Sequence, residues 1–359
     1  MAKASAKKHK KSSSASKSAP ARPSPLLDYL RLLRIPNVFT AMADVAMGFV
    51  FVHPLTDARY PGQAVFSGLF ERGVFPLLVL ASSLLYLAGM VLNDVYDVEV
   101  DRQERPERPI PSGRIPLVTA MRLGYGMLLG GVVLAWLAGL LAPWQGALPW
   151  RAGVVATLLA GAVPAYDRVL KKTSVGPMAM GACRFFNVLL GMSVAGGAAQ
   201  GGLAVLAFTP AQLVAAAGIG VYIAGVTLFA RDEAKQSRQL QLGAALVVMV
   251  MGIVLLGLFP RLLPEAHLAK WADRARMLDV IWPLVLAVLS ITIVRRCSVA
   301  VMAPSPLRVQ TSVKMAILSL IVLDAAVAFL MSGPPPAATI GILALLAPTL
   351  LLGRWVYST

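Results

Sequence analysis

The sequence predicts an all-α, polytopic membrane protein with nine to ten transmembrane helices in one bundle around a central cavity. Three observations carry this reading. The 359 residues are 57% hydrophobic and only 14% charged, far more apolar than a chain of this length that folds in water. About ten runs approach the roughly 20 apolar residues that a helix needs to cross about 30 Å of hydrocarbon. The connections between these runs alternate in Lys and Arg content, as membrane topology requires.

Residues 1–24 hold six Lys and one Arg among Ser, Ala and Pro. With no apolar run to bury, they read as a disordered basic tail. The tail is too long and too basic for the start of a cleaved signal, and the first apolar run contains Asp44, so no cleavage is expected. Residues 25–359 then form a single membrane domain. Its runs cover 36–54, 75–95, 117–141, 150–166, 176–197, 209–230, 240–263, 277–294, 312–332 and 338–355. Pro334, Pro335 and Pro336 separate the last pair and leave the count at nine or ten.

The net charge of +16 reports topology before it reports a partner. No specific nucleic acid is expected, whereas anionic membrane lipid can meet the tail. With the tail in the cytoplasm, every even span ends there. Arg102, Arg105, Arg108 and Arg114 follow the second span, Arg168, Lys171 and Lys172 the fourth, Arg231, Lys235 and Arg238 the sixth, and Arg295, Arg296 and Arg308 the eighth. The connection 261–276 runs against the pattern with Arg261, Lys270, Arg274 and Arg276. A bacterial cytoplasmic membrane is the expected location. Two cysteines, Cys183 and Cys297, make neither a disulfide framework nor a zinc site.

At the end of the second span the chain reads Asn93-Asp94-Val95-Tyr96-Asp97-Val98-Glu99-Val100-Asp101. At about 100° per residue Asp94 and Asp101 lie within roughly 20° of each other and Asp97 about 60° away, on one helix face. Like charges gathered at a membrane boundary repel, and a cation resolves the conflict. Mg²⁺ takes one or two carboxylates and fills its sphere with water and phosphate oxygens. Asp94, Asp97 and Asp101 are therefore candidate metal ligands, with Asn93 orienting a metal-bound water or a phosphate oxygen. Glu99 points elsewhere, toward a basic residue. The next segment, Arg105-Pro-Glu-Arg108-Pro-Ile-Pro-Ser-Gly113-Arg114, is stiffened by proline and brings Arg105, Arg108 and Arg114 near the carboxylates. There they either grip a phosphate bidentately or, together with Arg102, simply pair with the acids of a solvated helix end.

These two segments together resemble the UbiA superfamily of intramembrane aromatic prenyltransferases, over about residues 26–359. Within it the chain is most similar to the branch encoded with ebo-type gene clusters. The resemblance implies Mg²⁺-dependent transfer of a prenyl group from a prenyl diphosphate to an aromatic or other hydrophobic acceptor. Asp94, Asp97 and Lys171 would be its catalytic residues. Tyr166-Asp167-Arg168-Val169-Leu170-Lys171 matches the family pattern Tyr-x-x-x-Leu-Lys. Tyr166 then bonds a phosphate or the acceptor and Lys171 binds phosphate, against the plainer reading of an interfacial Tyr and a positive-inside Lys.

Asn37 would face the ligand or position the start of the first span. Arg184 and Asn187, three residues apart inside an apolar run, would line the substrate cavity or bridge to another helix. The sixth span ends in Arg231-Asp232-Glu233-Ala234-Lys235-Gln236. Asp232 would hold a second metal, with Arg231 near the diphosphate. The family pattern has a second Asp four residues later, where this chain has Gln236. Either Asp232 alone holds that metal with waters, or Arg231 and Lys235 replace part of its charge, or catalysis is reduced or lost, as in the alternative of a carrier or transporter of an isoprenoid or other hydrophobic metabolite. Lys314 and Asp324 lie about 15 Å apart along one helix, and each would meet another helix, unless Lys314 snorkels to the interface. No Asp-Gly dipeptide occurs, which removes the CDP-alcohol phosphotransferases.

Overall fold

Three of the helices begin where their own sequence supplies a capping side chain, Ser24, Thr209 or Ser305. The computed structural model describes residues 24–53, 73–142, 148–194, 205–231, 237–268, 271, 273–333 and 336–355, and no strand occurs among them. The basic tail 1–23 lies outside the described residues.

Helix α1 (Pro25–Leu33) starts at Ser24, whose hydroxyl accepts the Leu27 N–H, with Pro25 in the first turn. It stops at Arg34, which adopts the left-handed conformation at φ 46°. One 3₁₀ turn, Ile35–Asn37, leads into α2 (Val38–Val52). The first span thus starts before residue 36, because Ser24 and Pro25 form a helix start that a hydropathy window overlooks.

The order continues with α3 (Val74–Tyr96), α4 (Val98–Glu104), α5 (Leu117–Leu141), α6 (Arg151–Ala165) and a π-helical turn Tyr166–Leu170. Then come α7 (Gly176–Met192), α8 (Pro210–Ala230), α9 (Gln239–Leu258), α10 (Trp282–Met302), α11 (Pro306–Ser332), α12 (Ala337–Ala344) and α13 (Leu346–Trp355). Nine stretches among the described residues are long and apolar enough to cross a membrane, the last being Ala337–Arg354. With α7, only 17 residues long, they make the ten-helix arrangement.

Two boundaries differ from the expected ones. Arg295 and Arg296 lie inside α10, which runs to Met302, and Arg308 lies in the first turn of α11. Arginines near a helix end do not stop the helix, because their stems reach along it to water. Pro304 and Pro306, with Ser305 capping the Arg308 N–H at 3.4 Å, make the break instead.

Helices in a bilayer gain little from apolar burial against one another, so small residues that permit close approach decide the packing. A Cβ on Gly220 of α8 would lie 2.8 Å from the Gly181 carbonyl oxygen of α7. Large side chains face outward where lipid belongs, such as Leu129, Leu140 and Val247. Helix α2 is among the most enclosed: Val45, Met47 and Phe49 are fully buried.

Candidate functional site at the acidic end of α3

The site is built on a small apolar pad. Leu32, Val91, Val95, Val98, Ile110, Ile115 and Ala120 pack together beneath the proline-rich loop. The loop holds its shape through bonds from Ser112 N–H to Arg108 O, Ser112 Oγ to Arg108 O and Ile115 N–H to Pro109 O. Gly113 adopts φ 75°, a conformation that glycine enters without strain. A loop pinned this way aims its arginines with little freedom.

Helix α3 ends at Asp97, with φ −89° and ψ 1°, before α4 restarts the helix. The break divides the acidic face. Asp94 and Asp101 share one cation: Arg108 Nη1 donates to Asp94 Oδ1 at 3.3 Å and to Asp101 Oδ2 at 2.7 Å. Asp97 turns to a different one, pairing with Lys171 Nζ, which also donates to Asn93 Oδ1 at 2.7 Å. Arg34 completes the group by bonding Asp94 Oδ1 at 2.7 Å. Asp94 and Asp101 are about 5% exposed or less, so these are largely desolvated ion pairs in which each charge needs its partner.

Lys171 reaches the cluster because of Pro164. Lacking an N–H, Pro164 in α6 disturbs the regular ladder, and the helix continues as the π turn Tyr166–Leu170, closed by Lys171 N–H to Tyr166 O. The same turn buries Tyr166 and Asp167. Asp167 interacts electrostatically with Lys171, Asp97, Arg34 and Asp94, and its Oδ2 has no hydrogen-bond donor. Asp167 and Arg34 are members of the site that sequence spacing did not single out. Arg34 stood beside Asn37 in the sequence, and only the left-handed turn aims it back at α3.

Other expected members lie elsewhere. Arg114 does not face the carboxylates: its Nε donates to Asp28 Oδ1 at 2.9 Å and its Nη2 to Glu107 O at 2.7 Å, bracing the loop against α1. Arg105 caps α4, half-buried. Glu99 meets a basic residue, Arg102, at 2.6 Å. The Asn37 backbone oxygen accepts Thr40 Oγ1 at 2.8 Å at the start of α2. Arg231 ends α8 with its side chain exposed, while Asp232, Glu233, Lys235 and Gln236 lie outside the described residues.

Arg184 and Asn187 do not face the acidic end at all. Arg184 donates to Asp44 Oδ2 at 2.7 Å and Thr40 Oγ1 at 2.8 Å. Asn187 donates to Asp44 Oδ2 and Ala41 O, both at 3.0 Å, and accepts from Ser82 Oγ at 2.7 Å. The expected cavity lining is instead a structural bridge among α2, α3 and α7. A buried arginine goes to the nearest buried acid, and Asp44 supplied it.

Among the described residues no three His, Cys, Asp or Glu side chains gather as a ready metal cage. The donor set still fits Mg²⁺, which asks for only one or two carboxylates beside water and phosphate. All available donors are oxygens, and Asp167 Oδ2 is an orphaned buried acceptor beside them.

These features define a membrane-spanning helical bundle with interleaved carboxylates and cations at one end. The UbiA prenyltransferase family profile matches residues 62–262, and the chain belongs to that family. It is 36% identical over 147 residues to a digeranylgeranylglyceryl phosphate synthase of Metallosphaera sedula, covering 41% of this chain and 44% of that protein. The enzyme of the same name from Sulfolobus acidocaldarius is 38% identical over 113 residues, 32% of this chain and 36% of that one. The chain therefore spans less than half the length of these relatives. In fold it is similar to a UbiA homolog from Archaeoglobus fulgidus bound to DMAPP and Mg²⁺, with a TM-score of 0.54 at 16% identity, covering 88% of this chain and 99% of that one. A digeranylgeranylglyceryl phosphate synthase structure gives 0.53 at 17% identity, over 89% and 99%.

Proposed function

We propose that the chain is a prenyltransferase that holds a prenyl diphosphate with Mg²⁺ at the acidic end of α3 and transfers the prenyl group to a hydrophobic acceptor within the membrane. One observation carries the reading. Arg34, Arg108 and Lys171 converge on Asp94, Asp97, Asp101 and Asn93 from three separate segments. A helix end that merely needed neutralising would be served by its own neighbours, as Glu99 is by Arg102.

In this reading Asp94 and Asp97, with Asp101 and the orphaned Asp167 beside them, would hold the metal. When bound, Mg²⁺ neutralises charge on the diphosphate oxygens as the leaving group departs. Lys171, Arg108 and Arg34 can exchange a carboxylate partner for a phosphate oxygen, and Arg108 offers two parallel donors. An electron-poor allylic carbon would need shielding from water, which the apolar bundle beneath the site would supply. Prenyl transfer needs no covalent enzyme intermediate, and none of these roles requires a nucleophile.

The relatives named digeranylgeranylglyceryl phosphate synthase support a glyceryl phosphate lipid as the first acceptor to test, beside aromatic head groups. The homolog bound to DMAPP and Mg²⁺ supports the choice of donor and metal. We place the acidic end in the cytoplasm, on the charge bias of the connections. Purified chain given labelled prenyl diphosphate should release pyrophosphate only with Mg²⁺, and Asp94→Asn with Asp97→Asn should abolish release. Unchanged turnover in that variant rejects the site. Binding of the diphosphate without any release favours the carrier.

A further inference from the structure

We infer that Asp44 of α2 and Asp324 of α11 bind one proton between them, forming a proton-holding carboxyl pair deep inside the bundle. Ser82, which contributes to this network, lies twelve residues before Asp94 along α3, about 18 Å of helix rise. It is a separate feature from the proposed catalytic site.

Four helices face the pair, and their charges do not balance. Helix α2 brings Asp44 and Thr40, α3 brings Ser82 and Tyr86, α7 brings Arg184 and Asn187, and α11 brings Asp324. Arg34 extends an electrostatic influence to Tyr86, but its guanidinium is bound to Asp94. Tyr222 of α8 is engaged with the Ala316 carbonyl of α11 at 2.9 Å. Among the described residues one cation, Arg184, therefore stands against two carboxylates.

The hydrogen-bond inventory shows which oxygens lack a donor. Asp44 Oδ2 accepts both Arg184 and Asn187. Asp44 Oδ1 and both oxygens of Asp324 are buried without a donor, although the two side chains lie within hydrogen-bonding reach of each other. Both residues are 0% exposed.

Two ionised carboxylates in contact, away from water, repel and leave acceptors unsatisfied. A single proton removes both difficulties: one carboxyl donates to the other, and the remaining negative charge pairs with Arg184. Arg184 already supplies one positive charge beside the pair, and a single further one, a proton, completes the balance. The pair would then clasp α2 to α11 through a bond that depends on that proton.

Infrared difference spectroscopy on the purified full-length chain at neutral pH tests this. Wild type should show a protonated-carboxyl band that Asp324→Asn removes, that Asp44→Asn also removes, and that added sodium leaves unchanged. Arg184→Met should raise the band about twofold, because without the cation both carboxyls become neutral. Asp94→Asn should not touch it. Loss of the wild-type band on adding sodium would assign the site to a metal ion and overturn the inference. So would its absence from wild type, a result that needs no variant to fold.

Discussion

Arg34 holds Asp94 at 2.7 Å across a separation of 60 residues, and it does so from a left-handed backbone. A non-glycine residue in that region is strained by roughly 1–2 kcal/mol. The strain aims the guanidinium back at α3 and links the start of the first span to the proposed catalytic end.

Replacing Arg34 by Gly keeps the turn and relieves the strain, whereas Arg34→Gln keeps the strain; both remove the charge. Both should lower Mg²⁺-dependent pyrophosphate release by about tenfold or more, since a charge-assisted bond is worth about 1.5–3 kcal/mol. Arg34→Gly should unfold at the higher temperature of the two. Equal melting temperatures would show that the left-handed turn carries no strain.

Lys171→Met should lower pyrophosphate release by about 100-fold and weaken diphosphate binding, because Asp97 and Asn93 lose their shared donor and an uncompensated carboxylate remains. Lys171→Arg should recover only part of the loss, because a planar fork does not replace a compact ammonium. Full activity in Lys171→Met would return this lysine to a purely topological role.

Arg114 and Asp28 brace the loop at 2.9 Å with the arginine partly exposed. Asp28 itself is buried, so Arg114→Ala, which removes its partner, should lower thermal stability clearly but activity by only a few fold, while Arg108→Ala, which strands Asp101 and leaves Asp94 to Arg34 alone, should inactivate. Equal losses in the two variants would put Arg114 back among the phosphate ligands.

His53 lies just past α2, stacked on Phe49 at 4.4 Å, with Nδ1 3.1 Å from Phe49 O. Burial lowers its pKa from 6.5 to about 4, opposed by its backbone hydrogen bonds. Because the folded value lies below the unfolded one, this contribution is fully present above pH 6.5. It is lost as pH falls toward 4, by about 3 kcal/mol at the acid end. His53→Phe should flatten the melting-temperature curve between pH 6.5 and 4 relative to wild type. A parallel fall in both proteins would sink the assignment.

What spacing made legible was local. Asp94 and Asp101 share a line at about 100° per residue, and the structure ties both to Arg108. The third span, 117–141, appears as α5 at the same limits. Spacing could not show that α3 ends at Asp97 and hands that carboxylate to Lys171. That division depends on a lysine 74 residues away and on a π turn that hydropathy does not register. Arg184 looked like a site residue for a sound reason, the expense of a charge in hydrocarbon, but its partner Asp44 lay on a helix whose rotation no pattern revealed.

The sequence by itself determined that this chain is a membrane bundle of nine or ten helices, where its acidic end lies and which stiff basic loop follows. Those properties come from composition and from period along single helices. Only the tertiary structure decided which charges meet: Arg34 and Lys171 join the acids of α3, Arg114 leaves for Asp28, and Asp44 and Asp324 confront each other in the interior. In an apolar interior every charge must find a partner, and which one is in reach is set by the packing of helices remote in sequence.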